Sequence, residues 1–182
     1  MTVDPSQQSI ELTYQSIGEF IVGFQWVEDM YRQIGWFIID PERTSWPPMQ
    51  LRKESNERLI DRVTEMFVDL TRLYDFPDGA ERASAFAELR PRFHALRNYR
   101  NRLLHSTFVE IKAGGEVAGY LRSNPRIGVD PDSGELIYDR EIVSAEGIRS
   151  KIREYALNAA DLGNHYLQLI HWSPFERFSR KA

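Results

Sequence analysis

"LRNYRNRLLHS", Leu96 to Ser106, crowds arginines, asparagines and a histidine into a stretch that otherwise repeats like an amphipathic helix. Three of these residues have types that do chemistry together. An arginine presents a planar fork to the non-bridging oxygens of a phosphate. A histidine titrates near neutral pH and serves as base or acid. An amide orients either partner. Arg100, Asn101 and His105 supply the three types within six residues of chain. The chemistry they suit is proton transfer beside a phosphate that gains charge at the transition state.

At about 100° per residue, Phe86, Leu89, Phe93, Leu96, Leu103 and Leu104 fall in one arc of roughly 100°, the core stripe of a bundle helix. Arg100 falls inside that arc. His94, Asn98, Asn101 and His105 share a second face within about 60°, flanked by Arg90 and Arg97. A buried, unpaired arginine is very costly, so Arg100 needs a partner, a groove or a ligand. On the first helix Glu28 lies near the angle of Ile17, Ile21 and Phe24, and a Glu28–Arg100 pair is expected. Arg100 reads equally as one half of a structural core ion pair, and His94 as a solvated position. Arg100 and His105 stand about 140° apart on an ideal helix, whereas Asn101 and His105, at i and i+4, share a face. One straight helix therefore does not aim all three at one phosphate; a bent helix end, the long arginine side chain or a second copy across a two-fold axis would.

Other chemistries find less support. There is no cysteine, so disulfide frameworks, thiolate metal sites and cysteine nucleophiles are excluded. His165 and His171 lack carboxylates at ligand spacing and read as structural or surface residues; no metal or other cofactor is expected. Gly114-Gly115 in "KAGGEV" is a hairpin turn rather than a phosphate loop, and no nucleophile elbow is present.

The elements that must position the motif follow from the pattern. The chain has 182 residues, 42% hydrophobic and 27% charged, which suits one domain over 1–182 with one core. Its net charge is −4, with 19 arginines against four lysines, so nucleic-acid contact would need a local patch rather than a global field. The opening "MTVDPSQQSIELTY" shows no secretory pattern, and no apolar run reaches a membrane span; no membrane partner and a cytoplasmic location are expected.

Ile10, Tyr14, Ile17, Phe20, Ile21, Phe24, Val27, Tyr31 and Ile34 predict a helix over 6–39, capped by Asp4-Pro5 and ended by Asp40-Pro41. After the breaker "PERTSWPPMQ", a second helix is predicted over 50–74, with Leu59, Val63, Met66, Phe67, Leu70 and Leu73 inward. Asp78 and Glu81 read as a capping box for a third helix from residue 79 or 80 to about 108, kinked or broken at Pro91. Glycines, prolines and short β-branched runs over 107–144 predict strands at "TFVEIK", "EVAGYL" and "ELIYDREIV", with turns at "AGGE" and "DPDSGE". A last helix over 144–172 carries Ile148, Ile152, Tyr155, Ala159, Leu162, Tyr166 and Leu169. Residues 173–182, "WSPFERFSRKA" with its preceding Trp172, read as a flexible tail or a docking segment. The expected fold is mainly α: an antiparallel four-helix bundle with long helices and a small β-hairpin or meander between helices 3 and 4.

"RNRLLHS" resembles the R-x(4–6)-H motif of the HEPN superfamily, whose members are small helical bundles carrying the motif late in a long helix. The long first helix with an inward glutamate, "FIVGFQWVEDMYRQIG", is similar too; the β insertion after His105 is a departure. The resemblance implies metal-independent endoribonuclease chemistry: Arg100, Asn101 and His105 catalytic, Arg97, Asn98, Arg102 and His94 binding substrate, Glu28 supporting the site. It implies RNA as substrate, attack by the 2′-hydroxyl, and 2′,3′-cyclic phosphate and 5′-hydroxyl ends. It also implies a homodimer facing one composite groove, and a toxin–antitoxin or phage-defence setting with an antitoxin or nucleotidyltransferase partner. Other members have lost catalysis and act as binding or dimerisation modules.

Overall fold

α1 (Pro5–Ile39) forms because its large apolar residues recur at three- and four-residue steps. Phe20, Phe24, Val27, Tyr31, Ile34 and Phe37 are buried, as the stripe requires. Asp40 donates the closing backbone bond to Trp36, at 2.8 Å, and Pro41 follows. The computed structural model describes the backbone of residues 5–44, 49–113, 116–129, 133–134 and 136–180, and the side chains of 10–44, 51–112, 119–124, 133–134 and 140–180. The expected cap at Asp4, residues 45–48 of the breaker, the two glycines of "AGGE" and all of "DPDSGE" except Ser133 and Gly134 lie outside the described residues.

The expected second helix is two: α2 (Met49–Lys53) and α3 (Asn56–Leu73). Between them Ser55 adopts φ −63° and ψ 154°, extended rather than helical. Its carbonyl accepts the first α3 bond, from Leu59 at 2.9 Å. Ser and Asn favour helix starts over helix interiors, and "ESN" places them together. The described residues therefore form five α-helices, and the β insertion follows the fourth.

α4 (Gly79–Leu104) runs without interruption through Pro91. Pro91 removes one bond to the Ala87 carbonyl but is exposed, where water substitutes. Asp78 departs from the expected capping-box geometry, with φ 56° rather than the extended backbone of an N-cap. The helix ends at Leu104, short of the expected 108, because Thr107 already begins β1.

β1 (Thr107–Ala113), β2 (Glu116–Val129) and β3 (Leu136–Val143) form an antiparallel meander in the order β1-β2-β3. Register slips occur at Ile111/Lys112 and between Asn124 and Gly128. Pro125 falls in the second slip; a proline has no N–H for the ladder and sits at such irregularities. β2 therefore continues past the expected "EVAGYL". α5 (Ala145–Trp172) starts where Ser144 Oγ accepts from the Gly147 amide at 3.1 Å, a helix-start cap.

By contacts the chain divides into two compact units, one of Phe24–Arg97 with Glu154–Ala182, the other of Met1–Gly23 with Asn98–Arg153. The first has an aromatic core. Phe67 stacks on Phe86 with centroids 4.2 Å apart, and Tyr31 sets its edge against Phe93 at 5.3 Å. Buried His165 stands edge-on to Phe67 and Phe86, at 5.5 and 5.1 Å. Gly35 lets α1 approach closely: a Cβ there would meet Val63 Cγ2 at 2.9 Å and Leu51 Cδ1 at 3.0 Å.

Within the segment read as a flexible tail or a docking segment, residues 175–180 pack back onto their own unit. Phe175, in a 3-10 turn over Phe175–Arg177, is buried beside Phe37, Phe76 and Tyr74. Phe76 stacks on Trp172 at 4.3 Å. The Asp75 amide donates to the Ser179 carbonyl at 2.9 Å, and Tyr74 pairs with Arg180 as an isolated bridge.

In the second unit, Phe20 sets its edge to Tyr99 at 5.3 Å, and Tyr120 and Val143 of the sheet are buried. Some expected stripe members lie open: Leu73 and Leu104, each the last residue of its helix, and Tyr14. Among the described residues no helix is long and apolar enough to cross a membrane.

Candidate functional site at the end of α4

The last turn of α4 carries the motif. Arg100 and Asn101 are half-buried and His105 is exposed. Arg100 Nη1 donates to Asn101 Oδ1 at 3.3 Å, so the carboxamide orients the guanidinium rather than only sharing a face with His105. The His105 amide donates to the Asn101 carbonyl at 3.0 Å, which carries helical geometry one residue beyond Leu104. The 140° offset of Arg100 and His105 expected of a regular helix is thus not relieved by an early unwinding. The His105 imidazole makes no hydrogen bond or ion pair among the described residues.

Arg102 is exposed and lies over the Tyr99 ring, 5.8 Å from guanidinium carbon to centroid. Tyr99 is buried. Burial first, then the nearby Glu141 carboxylate, pushes its hydroxyl above the usual tyrosine range, against the opposing pull of Arg102 and Arg122. Asn98 is exposed on the same helix.

Two residues expected to bind substrate are engaged elsewhere. His94 Nε2 contacts Asp61 Oδ1 at 2.8 Å, and Arg97 Nη1 pairs with Glu57 Oε2 at 2.5 Å. Both carboxylates belong to α3 and lie within the same unit. The Arg97 hydrogen bond and charge hold the Glu57 carboxyl below the usual range. Any phosphate would have to compete with these carboxylates. Glu28 is buried on α1, as its wheel position required; it belongs to the unit of Phe24–Arg97, while Arg100 belongs to the other.

Sequence reasoning missed the most buried charge among the described residues of the second unit. Arg122 of β2 is 1% exposed. Its Nη2 donates to Glu141 Oε2 of β3 at 3.0 Å, and its Nη1 to Ser106 Oγ at 3.1 Å. Ser106 Oγ in turn donates to the Arg102 carbonyl. The signal was present: period-two alternation puts Tyr120, Arg122 and Asn124 on one face of "GYLRSN", and all three are buried. Arg122 and Glu141 are directly paired in the ladder, the cross-strand arrangement that favours opposite charges.

In the other unit His165 is buried and its Nδ1 has no hydrogen-bond partner among the described residues; burial, with the Arg82 charge adding, pushes its pKa down to about 4. It lines a cleft of about 400 Å³ with Arg82, Arg92, Glu88 and Asp161. His171 is exposed. Among the described residues no group of three or more His, Cys, Asp or Glu is placed to hold a metal ion.

Comparison of the chain with models of known protein families, with curated proteins and with solved structures finds no match.

Proposed function

We propose that this chain is a metal-independent endoribonuclease of HEPN type, in which Arg100, Asn101 and His105 do the chemistry. One observation carries the reading: the last turn of α4 holds an arginine braced by the next residue's amide, with an exposed histidine where the helix ends. Arg100, held by Asn101, stabilises charge on the non-bridging phosphate oxygens. A histidine takes the 2′-hydroxyl proton as the oxygen attacks phosphorus, and a histidine returns a proton to the departing 5′-oxygen. The products are a 2′,3′-cyclic phosphate and a 5′-hydroxyl end. Because Arg100 and His105 diverge by about 140° around the helix axis, the complete site needs a second copy, with the acid and base drawn from the two protomers. Arg102 and Asn98, both exposed, meet the flanking backbone in this reading, whereas Arg97 acts mainly in its ion pair with Glu57 and His94 in its hydrogen bond with Asp61. A cytoplasmic enzyme of toxin–antitoxin or phage-defence type fits this activity.

The test is cleavage of defined RNAs, with and without EDTA, followed by end-group analysis. Cyclic phosphate ends unaffected by EDTA, lost in His105→Ala and Arg100→Ala and lost in a forced monomer of unchanged helicity, support the reading. Cleavage that persists in a clean His105→Ala preparation refutes it. One observation favours a second reading, a non-catalytic HEPN-like binding module: no hydrogen bond among the described residues fixes the His105 tautomer, as catalytic imidazoles usually require. RNA bound but left intact by the parent would select that reading.

A further inference from the structure

The β insertion is tied to the motif by Arg122. A guanidinium only 1% exposed must have its charge and donors met inside the protein, and Arg122 of β2 makes two such bonds, one to β3 and one to the junction between α4 and β1. Nη2 reaches Glu141 on β3 at 3.0 Å; Nη1 reaches Ser106 at 3.1 Å. Ser106 is the residue after His105. Its hydroxyl is used twice: it accepts from Arg122 and donates back to the Arg102 carbonyl. That carbonyl is one of those a helix C-terminus leaves without an intrahelical donor. The cation also faces the negative end of the α4 dipole. The chain at residue 105 is therefore held from both sides, by the helix bond from its own amide to Asn101 and by the side chain of Ser106, which Arg122 of the sheet holds.

We infer that Arg122 is a positioning residue, which through Ser106 fixes the direction in which His105 leaves the end of α4. The departure that sets this chain apart, a meander directly after the motif, thus acts as the brace for the histidine. That the braced imidazole works on RNA rests on the function proposed above.

Ser106→Ala cuts the link while leaving the Arg122–Glu141 pair intact, and Ser106→Thr keeps a hydroxyl. Amide hydrogen exchange on the full chain reads the brace without any activity. Losing one hydrogen bond at a helix end should speed exchange of the His105 amide by about fivefold to tenfold in Ser106→Ala. Ser106→Thr and amides elsewhere should exchange as in the parent. With RNA, kcat should fall in Ser106→Ala at unchanged KM and recover in Ser106→Thr. Exchange at His105 equal to the parent's, or accelerated evenly along the chain, overturns the inference. If the parent itself cleaves no RNA, the proposed function fails, and the exchange profile alone decides whether the brace exists.

Discussion

Lowering the pH from 7 to 4 should remove about 3 kcal/mol of stability through His165 alone. The imidazole lies among Phe67 and Phe86, 6% exposed, and its pKa falls from an ordinary 6.5 to about 4. The folded protein therefore refuses a proton that the unfolded chain accepts. With the folded value depressed, the stabilisation is full above 6.5 and is lost as pH falls toward 4. A gap of about 2.5 units at 1.36 kcal/mol each, less the part unrealised at pH 4, gives about 3 kcal/mol. The charges acting on the ring are Arg82, which reinforces the depression, and Asp161, which opposes it. Urea unfolding of the parent and of His165→Leu at pH 7, 5.5 and 4 isolates the contribution, since carboxylate titrations are common to both. The parent should lose about 3 kcal/mol more than the variant over that range. Equal losses in the two proteins would show that His165 is protonated in the fold and would refute the reasoning.

Tyr31 is fully buried, and its hydroxyl has no hydrogen-bond partner among the described residues; burial and the nearby Asp61 charge raise its pKa. Tyr31→Phe should then stabilise the protein by about 1–2 kcal/mol in chemical denaturation, by removing an unsatisfied polar group. Phe67→Ala should cost about 3–5 kcal/mol and lower Tm, because it empties the stack on Phe86. Gly35→Ala should cost about 1–3 kcal/mol by pushing a methyl group against Val63 and Leu51; an unchanged Tm would show that those side chains yield freely.

The long helices were legible because burying one face imposes a repeat that the sequence carries openly. α1 and α5 follow it to their ends, and the strands announce themselves through β-branched residues between glycines. What escaped depends on partners far along the chain. Nothing local in "RKESNERL" forces a break; Ser55 merely permits one, and packing takes it. The strand expected at "EVAGYL" stopped short of Pro125, yet the sheet absorbs that proline at a register slip. The apolar residues of "WSPFERF" looked like an exposed tail until Phe76 and Trp172 supplied a surface for Phe175. At the candidate site, residue types identified Arg100, Asn101 and His105. The engagement of His94 and Arg97 by α3 carboxylates required knowing which helix faces which, and the bond from Arg100 to Asn101 depends on side-chain rotamers that residue types leave open. Arg122 was hidden because a charged residue in a strand is ordinarily assigned to the solvent side.

The two register slips matter beyond the local ladder. β1 keeps an unbroken register for five residues, Thr107 to Ile111, before it shifts; β3 keeps one for five, Asp139 to Val143. Both are edge strands, and a flat, regular edge is a template for pairing with another chain. In both slips the extra residues fall mainly on β2, whose bulges bend and twist the ladder away from a flat template, and on β1 Glu110 and Lys112 add charge to the edge. The irregularities that bend β2, one of them at Pro125, also work against fibrous self-association at the sheet's edges.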